Sequence, residues 1–198
     1  MNNKPLTFIF FGIVGSGKGT QVELLEKYLK ENKISDDVFS SSIGSEYRRI
    51  VESKSYTGRL IETTMTKGHL QPDFLTISLF TNILVSSMEE NTTFIADGFA
   101  RTVSQAEAFE AIIKFYNRES VHVVYIELDK EEAKKRMILR GRADDNEEGI
   151  ARRFDEYVNN VIPAMNYFKD KAGYTMHVIN GKQSIESVHA DIIKSLNF

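Results

Sequence analysis

The chain has 198 residues, of which 41% are hydrophobic and 27% are charged, so it can bury one sizeable core and is expected to form one domain. Its net charge of -3 provides no basic surface for nucleic acid or an anionic membrane, and its lack of cysteine excludes disulfides and thiolate metal sites. The apolar run near the N-terminus is too short to span a bilayer. We therefore expect a cytoplasmic monomer with no nucleic-acid or membrane partner.

Strands and helices are predicted to alternate along almost the whole chain. Apolar runs bounded by turn residues predict strands at 6–11, 38–40, 93–96, 121–128 and 175–179. Helical spacing predicts helices at 22–31, 45–52, 58–66, 72–90, 104–116, 129–140 and 184–193, and a long helix that starts at 145 and passes Pro163. This alternation indicates an α/β fold with a mainly parallel sheet and helices on both faces.

Polar residues at the starts of several predicted helices have the form of N-caps. Acceptors followed three residues later by glutamate are expected to open three helices: Ser104 with Glu107, Asp129 with Glu132, and Asp145 with Glu148. Ser184 is expected to cap the last helix, and Pro163 should kink the long helix that precedes it.

The first strand leads into a glycine-rich stretch. Gly12, Gly17 and Lys18 have the GxxxxGK spacing of a phosphate-binding loop, between an apolar run and an amphipathic one. Backbone N–H groups and the N-terminus of the next helix bind anions in such loops, and Lys18 can reach the terminal phosphates. A dinucleotide-binding turn fits less well, because the GxGxxG spacing is not met.

The residue after Lys18 further narrows the class of nucleotide-binding protein. The usual loop has Ser or Thr there, whose hydroxyl ligates magnesium, but here Gly19 takes that place and Thr20 follows. Magnesium must then be held mostly by phosphate oxygens and water. The GTPases are disfavoured as well, because residues 97–100 lack the glycine of a DxxG switch and residues 32–35 lack the aspartate of NKxD.

Three stretches of the chain together resemble the signature motifs of the adenylate kinase family. They are residues 15–21 (GSGKGTQ), residues 97–102 (DGFART) with Gln105, and residues 142–148 (RADDNEE). The resemblance covers nearly the whole chain and implies a P-loop NTP-binding fold with a five-stranded sheet. It implies a single kinase domain, 1–198, with its core at 1–42, 72–140 and 147–198, a monophosphate-binding helical insertion at 43–71 and a very short lid at 141–146.

The activity implied by the resemblance is reversible transfer of the γ-phosphoryl of ATP to AMP, giving two ADP, with Mg²⁺ as the cofactor. The nucleophile would be a phosphate oxygen that is already ionised at pH 7, so no general base is needed. Such an enzyme has to align two charged groups, neutralise the charge that spreads over the transferred phosphoryl and exclude water.

The resemblance also implies the residues of the site. Five basic residues would be catalytic: Lys18, Arg101, Arg136, Arg142 and Arg153. ATP would be bound by Gly15, Ser16, Gly17, Lys18, Gly19, Thr20, Arg136, Arg140 and Gln183. AMP would be bound by Ile43, Arg48, His69, Leu70, Gln71, Gly98, Phe99, Ala100, Arg101, Gln105, Arg142 and Arg153. Asp97 would hold magnesium through water, the Gln105 amide would read the adenine edge, and Asp144 and Asp145 would brace the lid arginines.

Four residues depart from the family pattern. Val14 and Ala100 stand where the family has proline, and Ile43 replaces a threonine beside the monophosphate base. Ser45 replaces an aspartate associated with the magnesium waters, which weakens the organisation of the metal unless Glu46 compensates. Because a cis bond costs about 2.5–4 kcal/mol before a residue other than proline, we expect a trans Phe99–Ala100 peptide and a shifted Arg101. These departures leave two alternatives open: a kinase for UMP, CMP or another monophosphate, and a nucleotide-binding sensor with weak or lost catalysis.

Overall fold

The computed structural model describes residues 5–118, 120–142 and 145–198, and it contains one five-stranded sheet in the order β2-β3-β1-β4-β5. The strands are β1 (Thr7–Gly12), β2 (Val38–Ser42), β3 (Thr93–Asp97), β4 (Val121–Glu127) and β5 (Tyr174–Asn180). Each pairs with its neighbours in parallel, which confirms the predicted α/β fold. The carboxyl ends of the central strands β1 and β3 therefore meet at one edge of the sheet, where such folds place ligands.

Helices connect the strands. They are α1 (Lys18–Glu31), α2 (Ile43–Glu52), α3 (Tyr56–Met65), α4 (Asp73–Ser87), α5 (Val103–Phe115), α6 (Lys130–Arg140), α7 (Glu147–Glu156), α8 (Ile162–Asn166) and α9 (Ile185–Leu196). The helices α2 and α3 lie between β2 and α4, and their Ile43, Tyr47 and Ile61 are buried in the core. The predicted lid falls between α6 and α7, and its residues 143 and 144 lie outside the described residues.

The sheet buries one hydrophobic cluster on each face, because alternate side chains of a strand point to opposite sides. From β1, Ile9 and Phe11 join the cluster that is packed by α4, α5 and α8, whereas Phe8 and Phe10 join the cluster that is packed by α1 and α9. This arrangement confirms that helices cover both faces. The helix α4 is less buried than its many apolar residues suggest. Phe74 is 75% exposed, and only one side of the helix enters the core.

Two of the predicted N-caps are wrong by one or two residues. The acceptor that opens α5 is the hydroxyl of Thr102, which takes the backbone N–H of Gln105, rather than Ser104. The acceptor that opens α7 is the Asn146 side chain rather than Asp145. The caps predicted at Asp129 and Ser184 are confirmed.

The long helix after the lid changes its winding instead of breaking at the proline. A π-helical segment, Tyr157–Val161, separates α7 from α8 and ends just before Pro163. The distortion predicted for Pro163 therefore falls on the turn that precedes it, where the ring clashes with the carbonyl of an ordinary helix. In the part of the chain that is described, no helix is both long enough and apolar enough to cross a membrane.

Candidate active site

The glycine-rich loop joins β1 to α1 and turns the N-terminus of that helix toward the sheet edge. Gly15 and Gly17 have φ angles of 86° and 91°, a region that favours glycine. A Cβ added to Gly15 would lie 2.8 Å from the carbonyl oxygen of Ala133, because α6 packs directly against the loop. The loop therefore presents a helix N-terminus that suits an anion, and it also fixes the position of α6 beside it.

Lys18, the first residue of α1, has its ammonium group inside the loop. Its Nζ donates to the carbonyl oxygens of Gly12 and Ile13 at 2.8 and 3.2 Å. Burial lowers the pKa of Lys18 to about 8, even though Asp97 nearby raises it. The lysine is thus a poorly solvated cation that a phosphate would stabilise.

Asp97 ends β3 at the same sheet edge and faces the loop from the other side. A Cβ on Gly19 would lie 3.9 Å from the Asp97 carboxylate, so the aspartate stands where a loop serine or threonine would hold magnesium. Over the described residues, no group of three or more histidine, aspartate or glutamate side chains could hold a metal ion. The carboxylate of Asp97 is a hard oxygen donor, which suits Mg²⁺ or the water that it binds.

The side of the cleft next to the phosphate loop is lined by arginines from α6. Arg136 is held by Glu132 one turn earlier, with Nε 2.9 Å from Oε1. Arg140, at the end of α6, pairs with Asp145, and the Nη1 of Arg153 lies 3.0 Å from the same carboxylate. Of the lid arginines that Asp145 was predicted to brace, Arg153 is confirmed, and Arg142 bonds it through its backbone N–H at 3.3 Å. Asp144 lies outside the described residues.

Arg101 and Arg48 stand on the opposite side of the cleft. Burial lowers the pKa of the Arg101 guanidinium while Asp97 raises it, and its Nη2 lies 2.9 Å from where a Cβ of Gly98 would be. Arg48 donates to the hydroxyl of Ser45 at 3.0 Å. The two guanidinium groups provide the bidentate donors that an anionic phosphate requires.

The peptide between Phe99 and Ala100 is trans, as predicted, because the described residues contain no cis bond. Ala100 is fully buried and adopts a φ of 57°, which is uncommon for a residue other than glycine. Glu46, which the sequence left open as a compensation for Ser45, pairs with Arg49 at 2.8 Å. Of the two neighbours, Ser45 lines the cleft and Glu46 does not.

Gln105 reaches the cleft from the first turn of α5 and is 1% exposed. Its amide is held at both ends, since Oε1 accepts from the backbone N–H of Arg101 at 2.9 Å and Nε2 donates to Asp73 at 2.8 Å. Ile43, also buried, lines the same part of the cleft, and the Gln71 amide is hydrogen-bonded to Thr64. The cleft therefore offers an apolar side chain and two hydrogen-bonded amides, a combination that suits a nucleobase.

One cleft of about 570 Å³ gathers nearly all the predicted site residues. The predicted residues that line it are Gly15, Gly17, Lys18, Gly19, Thr20, Ile43, Arg48, His69, Leu70, Gln71, Asp97, Gly98, Phe99, Arg101, Gln105, Arg136, Arg140, Arg142 and Arg153. Three predicted residues are not in its lining: Ser16 and Ala100, which are buried, and Gln183, whose amide donates to Asn180 and Asp191.

Several residues of the site were missed from the sequence. Tyr47 lines the cleft and shares a 2.6 Å hydrogen bond with Thr76, and Glu156 and Tyr157 line it from the end of α7. Tyr47 lies one helical turn after Ile43, so the spacing could have placed it on the same side of α2. The winding of the π-helical segment, which brings Tyr157 to the cleft, has no simple sequence signal.

Comparison with known proteins identifies the family. The family model described as adenylate kinase matches residues 10–173. An adenylate kinase of Azobacteroides pseudotrichonymphae is 35% identical over 94% of this chain and 95% of its own length. Proteins of the same name from Leptospira biflexa and Flavobacterium psychrophilum are 35% and 31% identical, over 95% and 97% of this chain and 98% of each relative. The chain belongs to the adenylate kinase family.

Proposed function

We propose that this protein catalyses reversible transfer of the γ-phosphoryl of ATP to AMP, which gives two ADP. The observation that carries the proposal is the double-walled cleft, in which the phosphate loop and α6 face Arg48, Arg101 and Gln105 across one cavity. A cleft with a phosphate-binding wall on each side suits two nucleotides that meet at their phosphates. Membership of the family and the three relatives named adenylate kinase support the same activity.

The proposed binding roles divide the cleft. ATP takes the side of Gly15, Ser16, Gly17, Lys18, Gly19, Thr20, Arg136 and Arg140, with Gln183 as a further ATP-binding residue. AMP takes the side of Ile43, Arg48, His69, Leu70, Gln71, Gly98, Phe99, Ala100, Arg101 and Gln105. Residues 43–71 act as the monophosphate-binding lobe, and residues 141–146 act as a short lid over the transferring group.

The proposed chemistry is positioning plus charge neutralisation. An ionised oxygen of the AMP phosphate attacks the γ-phosphorus, the bond to the bridging oxygen breaks, and the leaving ADP keeps that oxygen as an anion. Lys18, Arg136, Arg142 and Arg153 neutralise the charge on the transferred phosphoryl, and Arg101 aligns the AMP phosphate. Magnesium, when bound with ATP, screens the phosphate oxygens, and Asp97 would orient its water ligands.

Replacing Lys18 tests this assignment. Lys18→Met should lower kcat/KM by about 100-fold or more, since it removes a preorganised charge partner of the transferred group. The matched control is Lys27→Met on the same helix, whose lysine side chain is 68% exposed. ADP formation is followed with ATP, AMP and magnesium. Turnover of Lys18→Met equal to that of the control would refute the assignment of the loop.

A second kinase activity is favoured by Ile43, which lines the cleft with an apolar side chain where the family has threonine. Initial rates with AMP, UMP, CMP and GMP at fixed ATP decide between the substrates. A preference for UMP or CMP of more than about tenfold would end the AMP proposal.

A sensor that binds nucleotides without efficient turnover is the alternative suggested by Ser45 and Ala100. Titration calorimetry with diadenosine pentaphosphate, alongside the turnover assay, separates the two functions. Tight binding with negligible turnover would favour the sensor.

The proposal also keeps the expectation of a cytoplasmic monomer, and light scattering after size exclusion measures the oligomeric state.

A further inference from the structure

We propose that Asp73 is a positioning residue that fixes the Gln105 amide in one orientation and thereby selects amino-bearing bases over keto-bearing ones. The inference rests on the proposed function, in which Gln105 faces the monophosphate base. It concerns a residue that lies behind Gln105 at the start of α4 and that does not itself line the cleft.

Asp73 connects the starts of α4 and α5 through one oxygen atom. Its Oδ1 accepts from Nε2 of Gln105 at 2.8 Å and from the hydroxyl of Thr102 at 2.9 Å. The hydroxyl of Thr102 in turn accepts the backbone N–H of Gln105 at 3.2 Å. The aspartate therefore bonds the Gln105 side chain directly and also the residue that caps its helix.

The two partners of the amide leave it one orientation. A carboxylate accepts hydrogen bonds and does not donate, so the amide atom that faces Asp73 has to be the NH₂ group. The backbone N–H of Arg101 donates and does not accept, so the atom that faces it has to be the carbonyl oxygen. A rotation of the amide by 180° would lose both hydrogen bonds and set oxygen against oxygen and hydrogen against hydrogen.

After these two bonds the amide keeps one N–H and one oxygen lone pair. Because Gln105 lines the cleft, these are the groups that it can offer to a base. One donor and one acceptor in this order match the edge of adenine, which has a ring-nitrogen acceptor beside an amino donor. The edges of hypoxanthine and guanine have a carbonyl oxygen acceptor beside a ring N–H donor, so they match only the rotated amide.

AMP and IMP have purine rings of the same size and differ at this edge. The ratio of their kcat/KM values therefore reports the orientation of the Gln105 amide. Asp73→Asn keeps the shape of the side chain but can present either an oxygen or an NH₂ group to Gln105. Only the backbone N–H of Arg101 then still opposes the rotated amide, so the preference for one orientation of Gln105 weakens. We expect the ratio of kcat/KM for AMP to that for IMP to fall by about tenfold or more, since a site built to hydrogen-bond one edge rejects the other. We expect the KM for ATP to change by less than about twofold, because among the described residues the hydrogen bonds of the Asp73 and Gln105 side chains run to Thr102 and Arg101 and not to the phosphate loop.

The experiment measures kcat and KM for AMP and IMP with the wild-type protein, Asp73→Asn and the control Asp36→Asn, which alters an exposed aspartate. Circular dichroism confirms that each variant is folded. If Asp73→Asn does not fold, Asp73→Ser is measured instead, because its hydroxyl can likewise accept or donate. An unchanged AMP to IMP ratio in a folded Asp73 variant would overturn the inference. A wild-type protein that does not phosphorylate AMP would instead refute the proposed function.

Discussion

Asp145 and Arg140 form a bidentate ion pair where α6 ends and the lid begins. The Nε of Arg140 lies 3.0 Å from Oδ2 and its Nη2 lies 2.8 Å from Oδ1, and the carboxylate side chain is 1% exposed. Burial raises the pKa of Asp145, but the hydrogen bond and charge of Arg140, with the charge of Arg153, leave it below its usual value. One buried carboxylate therefore orients two of the arginines that line the cleft.

Removing this charge should disorganise the phosphate site. Asp145→Asn leaves a single acceptor oxygen for two guanidinium groups, so we expect kcat to fall about 10- to 100-fold, as displacement of positioned groups does. The free energy of unfolding should fall by about 1–3 kcal/mol, since charge-assisted hydrogen bonds are lost. Steady-state kinetics and urea denaturation measure the two effects. The matched control is Asp155→Asn on the exposed side of α7, and equal kinetics in the two variants would contradict this role for Asp145.

The sequence predicted the parts of the site that are encoded locally. The loop from Gly12 to Lys18, the cap at Asp129 and the alternation that sets the parallel sheet each depend on neighbouring residues, and all were placed correctly. Contacts between distant segments were not predictable in the same way. The hydrogen bond from Gln105 to Asp73 joins residues 32 positions apart, and no local pattern indicates that the two helix starts meet.

Caps were mispredicted for a related physical reason. Several acceptors stand in a row before α5 and α7, and any of them could bond the first free N–H groups of the helix. Packing decides among them. Thr102 opens α5 because its hydroxyl also bonds Asp73, and Asn146 opens α7 while Asp145 is held by two arginines.

Lys18 should lower the free energy of unfolding of the protein when no nucleotide is bound. Its pKa of about 8 lies below the value of 10.5 for a free lysine, so folding below pH 8 requires a charged group to lose hydration. Lys18→Met should therefore raise the free energy of unfolding at pH 7 by on the order of 1–3 kcal/mol. The cost of the charge disappears as pH rises from 8 to 10.5, so the difference from wild type should shrink over that range.

Denaturation of nucleotide-free protein at pH 7, 9 and 10.5 checks this expectation. The exposed Lys27 provides the control, because Lys27→Met removes a lysine charge without relieving burial. A Lys18→Met protein less stable than wild type at pH 7 would argue against a strained lysine in the loop.

Gly98 and Gly44 both lie beside arginines in the cleft, and replacing them by alanine should change the free energy of unfolding in opposite directions. Gly98 has a φ of 75°, and a Cβ there would lie 2.9 Å from Nη2 of Arg101, so Gly98→Ala meets both backbone strain and a displaced guanidinium. We expect a loss of about 1–2 kcal/mol in stability from the backbone alone. The KM for AMP should rise about tenfold or more as a bidentate phosphate contact is misplaced.

Gly44 is the comparison, because it lies inside α2 and a Cβ there would be 3.6 Å from Nη1 of Arg48, an ordinary contact. Gly44→Ala should raise the free energy of unfolding by about 0.5–1 kcal/mol through helix propensity. Thermal denaturation of both variants tests the pair, and a Gly98→Ala protein as stable as wild type would exclude strain at that position.

His122 and His177 lie on the neighbouring strands β4 and β5, with Nδ1 of His122 3.1 Å from Nε2 of His177. The ring of His122 also stacks on Phe8 at 5.2 Å between centroids. Burial, with the charge of His177, lowers the pKa of His122 to about 4, and burial lowers the pKa of His177 as well. Each folded-state histidine therefore resists a proton that the unfolded chain takes up near pH 6.5.

Acid should consequently destabilise the protein through this pair. As pH falls from about 6.5 toward 4, the unfolded state binds a proton that folded His122 does not, so stability is lost by about 1.4 kcal/mol per pH unit through His122. The lowered pKa of His177 adds a loss of the same sign. His122→Asn retains a hydrogen-bonding atom near Nδ1 but does not titrate. The free energy of unfolding of this variant should therefore depend less steeply on pH, by the equivalent of about one proton over this range. Urea denaturation at half-unit intervals from pH 4 to pH 7 measures the slope, and identical slopes for wild type and variant would remove His122 as the titrating group.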